Sequence, residues 1–176
     1  LKPYFPQFFN SDSTQPHGKM IGSIWQTSMT TNFILAYDVF YPMYDDPQTL
    51  MNIQNKAENI QLSEEKASPA LIRERIENRL VRQAFTDIKN LDIMGNFGTH
   101  QATAAAAAVV LDTMPDTKEM IDWIFKNSSA GPGASFNPGG NVTAQIVNVV
   151  DRDGFGAESA PGYNSRWVAY PAKVAD

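Results

Sequence analysis

Apolar residues recur at three- and four-residue intervals along most of this chain, and that period predicts helices. Ile21, Ile24, Trp25, Met29, Phe33, Ala36, Tyr37 and Phe40 mark one long helix over Met20–Tyr41, which Pro42 stops. Asp45–Asp46–Pro47 supplies an acidic cap and a first-turn proline for a second helix, with Leu50, Ile53, Ala57 and Ile60 on its apolar face. Ser68–Pro69 opens a third. Its stripe is Leu71, Ile72, Ile76, Leu80, Ala84, Phe85 and Ile88, while Arg73, Glu74, Arg75, Glu77, Arg79 and Arg82 form a solvated face of mixed charge.

Leu91–Gly98 breaks the pattern. His100–Leu111 resumes it as a helix built on Ala104–Ala108. Five successive alanines carry no bulk, so neighbouring helices can approach on several sides. Asp116–Asn127 is amphipathic, and Trp123 falls in its apolar stripe as a core residue. Ser128–Asn141 is a long Gly/Pro/Ser loop, either the rim of a site or a surface insertion. Val142–Val150 is rich in β-branched residues, which favours a strand, but Ala144, Ile146, Val147, Val149 and Val150 also fit a buried helix, and the helical surroundings favour that reading. Asp151–Gly162 reads as a loop and Tyr163–Ala175 as a helix interrupted or kinked at Pro171. Residues 1–18, rich in Pro and aromatics, are expected to lack regular structure and to lead into a helical domain over 19–176. The predicted class is all-α: antiparallel helical hairpins stacked into an arc of a toroid, or a compact bundle.

Composition narrows the function. The chain has 176 residues, 43% of them hydrophobic, and a formal net charge of −5. An acidic balance with no Lys/Arg run argues against nucleic-acid binding, although a local pocket can still take an anion. No apolar span reaches membrane length, and the N-terminus does not read as a signal peptide. The chain opens at Leu1 without an initiator Met, as expected of a processed or excised segment. It has no cysteine and two histidines far apart, so neither a thiolate nor an all-histidine metal site is available.

Two polar clusters sit at the ends of apolar segments. In the first, GNFGTHQATAAAAAVVLD over Gly95–Asp112, Asn96 precedes His100 by four residues. If that turn is helical, both lie on one face, beside backbone N–H groups that favour an anion. They can then hold a carboxylate and move a proton; alternatively Asn96 caps the helix and His100 is a bonded core residue. In the second, Asp153–Asn164, DGFGAESAPGYN, followed by Arg166, the candidates are Glu158, Tyr163, Asn164 and Arg166. Pro161–Gly162 reads as a turn that puts Tyr163 at a loop–helix junction. There it is either a general acid or base, or a half-buried tyrosine with a satisfied hydroxyl.

Taken in order and at this separation within a helical chain, these two motifs and the upstream GKMIGSIWQTSMTTNFILAYD resemble the helical domain of the heparinase II/III-like polysaccharide lyases, over Gly18 to the C-terminus. The resemblance implies an incomplete (α/α) toroid whose β-sandwich partner is absent from this chain. It implies a secreted or periplasmic enzyme that cleaves an anionic, uronic-acid polysaccharide by β-elimination, with no membrane or nucleic-acid partner. No cofactor is required, although a structural metal can belong to the missing part. Carried over by position, Asn96 and His100 neutralise the substrate carboxylate, with His100 also available as base, and Tyr163 is the acid and potentially the base. Gln101, Glu158, Asn164, Arg166 and Trp25 would contact sugar. Family members often join the Asn and His directly, whereas here Phe97, Gly98 and Thr99 intervene, which leaves open which of the two meets the carboxylate. The alternatives are a glycoside hydrolase on a similar scaffold, which needs two opposed carboxylates, and a non-catalytic carbohydrate-binding or scaffold protein.

Overall fold

The computed structural model describes residues 7–9, 18–20, 26–59, 68–90, 98–126, 142, 146–147, 150–154, 156 and 161–176. Across them the protein is predominantly helical. After a short parallel pair, β1 (Gln7–Phe9) and β2 (Gly18–Met20), come α1 (Gln26–Phe40), a 3₁₀ turn (Tyr41–Asp45), α2 (Pro47–Asn59) and α3 (Pro69–Ile76). A π-helical segment (Glu77–Arg82), α4 (Gln83–Asn90), α5 (Thr99–Leu111), α6 (Asp116–Lys126) and α7 (Pro161–Ala175) follow.

The strand pair corrects two expectations: Gln7–Phe9 is regular structure, and Met20 is extended rather than helical. The pairing is non-local, with Gln7 opposite Gly18 and Phe9 opposite Met20, and helical periodicity carries no signal for it. The helix boundaries set by local chemistry stand. Asp46 accepts from the Thr49 N–H and hydroxyl, both at 2.8 Å, at the head of α2, and Ser68 Oγ accepts from the Leu71 N–H at 3.2 Å at the head of α3. After Phe40 the chain tightens into the 3₁₀ turn that holds Pro42.

The π segment has a cause in the apolar spacing. Ile72, Ile76, Leu80, Ala84 and Ile88 recur every four residues. On a 3.6-residue helix such a row drifts about 40° per step, roughly 160° over the set. A wider π turn holds more residues per turn and takes up drift. Leu80, Val81, Ala84, Phe85 and Ile88 are accordingly buried together, with Ile76 packed beside them.

α5 is the hub. It packs against α1, α4, α6, α7 and the π segment. Ala104, Ala105, Ala107, Ala108 and Leu111 are buried, and large side chains close over them from the surrounding helices: Ile34 and Tyr37 from α1, and Met120, Trp123 and Ile124 from α6. Trp123 meets Phe85 edge-on at 5.8 Å, the core role its stripe predicts.

The face of the third helix expected to be merely solvated is partly spent on ties. Arg73 reaches both carboxylate oxygens of Asp45, at 3.1 and 2.8 Å, and stands 4.1 Å over the Tyr41 ring. Arg82 donates to Asp116 at 2.6 Å and lies 3.4 Å from Glu77. The Tyr37 hydroxyl donates to Glu77 at 2.8 Å. The stems of these arginines are long enough to lie along the apolar surface before pairing. Burial, reinforced by the Glu77 carboxylate, pushes the Tyr37 phenol well above the usual tyrosine range.

Of Val142–Val150, Val142, Ile146 and Val147 are helical. Val150 instead forms an antiparallel bridge with Gly156, across a turn closed by Gly154 N–H to Asp151 O at 2.8 Å. α7 begins at Pro161, so the Pro-Gly expected to form a turn is the first turn of the helix, where proline's fixed φ fits. The helix runs through Pro171 to Ala175. The loop over 128–141 lies outside the described residues.

Candidate functional site

α5 is divided by chemistry. Its C-terminal half is the alanine wall; its N-terminal half buries Thr99, His100, Gln101 and Thr103, all at 3% exposure or less. The facing part of α1 buries Thr27 and Thr30 completely. Polar side chains removed from water need partners, and a threonine seam provides them for Thr103. Thr31 Oγ1 lies 2.7 Å from Thr103 Oγ1, and Thr103 Oγ1 lies 2.8 Å from the Thr99 carbonyl. Each hydroxyl has one proton, so the Thr31 and Thr103 protons are shared among one another and the neighbouring carbonyls. The Thr27 carbonyl stands within 3.2 and 3.3 Å of the two hydroxyls.

α5 starts at Thr99, after Gly98 at φ +86°. The expected face joining Asn96 to His100 falls partly outside the described residues: Asn96 lies outside them, as do Trp25 and Glu158.

α7 brings the second cluster against the first helix. Tyr163, Trp167, Tyr170 and Val174 follow an i, i+4, i+7, i+11 spacing, which places them on one face. Trp167 is buried at 4% exposure. Tyr170 shares a 3.0 Å hydrogen bond with Ser28 of α1, and Val174 packs on the core. Tyr163 is the solvent end of this inward face, 39% exposed, with the Arg166 guanidinium 5.5 Å from its ring centroid. Asn164 and Arg166 are half-buried. Gly156 lies on the Trp167 side chain so closely that a Cβ there would overlap the indole. The glycine-rich turn of the second motif is thereby seated on α7.

The structure thus places His100 and Gln101 on α5, and Tyr163, Asn164 and Arg166 on the helix packed against it. His100 and Gln101 are enclosed, whereas Tyr163 reaches solvent. The threonine seam was not anticipated. Its signal was the spacing of Thr27, Thr30 and Thr31 against Thr99 and Thr103, which a polar/apolar pattern counts as surface. Among the described residues, no group of three or more His, Asp or Glu is placed to hold a metal ion, and no helix is long and apolar enough to cross a membrane. No family model, curated protein or solved structure matches the chain.

Proposed function

We propose that this chain is the helical, catalytic-cleft part of a polysaccharide lyase acting on a uronic-acid glycan. The observation that supports it is the packing of α7 on α5, with Tyr163 at the open end of α7's inward face and His100 in the first turn of α5. In this reading the helices form part of an (α/α) toroid, a β-sandwich completes the cleft, and the enzyme works outside the cytoplasm. Asn96 and His100 neutralise the sugar carboxylate, which acidifies the C5 proton. A base, His100 or Tyr163, removes that proton. The electron pair forms the C4–C5 double bond as the C4–O bond breaks, and Tyr163 protonates the departing oxygen. Gln101, Asn164, Arg166, Glu158 and Trp25 hold the sugar. No cofactor takes part. The reading requires substrate to reach an imidazole that is 1% exposed.

That burial favours a second reading: a non-catalytic carbohydrate-binding or scaffold protein in which His100 and Gln101 are bonded core residues. One assay separates the two. The chain is incubated with a panel of uronic-acid polysaccharides, and ultraviolet absorbance of the unsaturated end is followed. Growth of absorbance that falls on the order of 10²–10⁴-fold in Tyr163→Phe supports the lyase. Binding without absorbance supports the scaffold, and new reducing ends without absorbance point to a hydrolase.

A further inference from the structure

An alanine wall packs closely. Ala104–Ala108 present short side chains to the large ones that close over them, and the polar contacts lie in the other half of α5. Gly98, at the N-cap, supplies no side-chain cap to clamp the first turn. A polar tie at the N-terminal half adds direction to that packing: Thr103 Oγ1 joins α1 through Thr31 Oγ1 at 2.7 Å and lies 2.8 Å from the Thr99 carbonyl in the first turn of its own helix. His100 lies three residues before Thr103, a neighbour on the helix surface.

We propose that Thr103 is a positioning residue: its hydrogen bond to Thr31 sets the rotation of α5 and so the direction in which His100 and Gln101 are held. Only the catalytic readout of this inference rests on the lyase reading.

The test compares Thr103→Val, nearly the same shape without the hydroxyl, with Thr103→Ser, which keeps it. The primary readout is the imidazole C–H spectrum of the full chain, in which His100 and His17 are the two histidines. Thr103→Val is expected to displace the His100 resonances and leave those of His17 in place, and Thr103→Ser to restore them. Thr31→Val removes the same tie from the α1 side and must reproduce the displacement; it decides the matter if Thr103→Val does not fold. Where wild type forms unsaturated product, kcat falls on the order of tenfold to a hundredfold in Thr103→Val, with KM within about twofold. If Thr103→Val or Thr31→Val lowers stability while the His100 resonances stay at their wild-type positions, the proposal is overturned. Absence of product from wild type removes the lyase reading and leaves the spectra to decide the positioning role.

Discussion

Ala107→Leu tests the central place of α5 most directly. Ala107 has no exposed surface, and α1, α6 and α7 crowd the helix that carries it. Leucine adds three carbons. With room, each buried carbon would contribute about 0.8 kcal/mol, roughly 2.4 kcal/mol in all. Without room, helices or rotamers must shift, at a cost typically near 1–3 kcal/mol and occasionally more. The surrounding positions Ala104, Ala108 and Ile34 are themselves at 1% exposure or less, so the cost should win. For a chain of this size each kcal/mol moves Tm by about 2–4 °C, which gives an expected drop of roughly 2–12 °C by calorimetry or circular dichroism. Val109→Leu, on the same helix but 75% exposed, should stay within about 0.5 kcal/mol of wild type. If Ala107→Leu melts at or above the wild-type temperature with an unchanged urea m-value, the wall is open on that side and the hub description of α5 is wrong.

Other expectations follow from single contacts. Ser68→Ala removes the acceptor for the Leu71 N–H and should cost about 1 kcal/mol in urea titrations. Hydrogen bonds from Thr49 hold the Asp46 carboxyl below its usual range, those from Arg73 do so for Asp45, and those from Lys118 and then Lys126 do so for Asp122. A depressed folded-state pKa stabilises above the unfolded value, so acid titration should show stability complete above about pH 4 and falling below it; Asp46→Asn should flatten that fall. Tyr37 is the opposite case: its raised pKa keeps its contribution complete below about pH 10 and loses it above. Tyr37→Phe should therefore show a shallower alkaline decline in melting temperature than wild type. Gly156→Ala drives a methyl into Trp167 and should cost about 1–3 kcal/mol; an unchanged melting temperature and emission spectrum would show that the second motif is not seated on α7.

Where the sequence could be read, the controlling chemistry was local. Ser68 and Asp46 bond N–H groups three residues ahead, so their caps appear as short strings. Trp123 could be placed in the core because its neighbours repeat at helical spacing. The misses need longer reach or backbone geometry. β1 pairs with β2 across about ten residues. Gly98 adopts a left-handed φ just ahead of α5, which composition alone does not dictate. Thr27 and Thr103 are polar by type and buried by partnership, and the partner lies some 76 positions away. The same ambiguity governs His100: the pattern marks it as a chemical candidate, and nothing local announces that the helix around it is enclosed.

The π turn at Glu77–Arg82 makes the length of this chain as informative as its letters. The wider turn already takes up one extra residue, so removing one there and closing to an ordinary α ladder would leave Phe85 and Ile88 facing nearly as before relative to α3. The same deletion in α3 or α4 has no such slack and would turn every residue beyond it to a new face. One stretch of this helix thus tolerates a change of length that its neighbours do not.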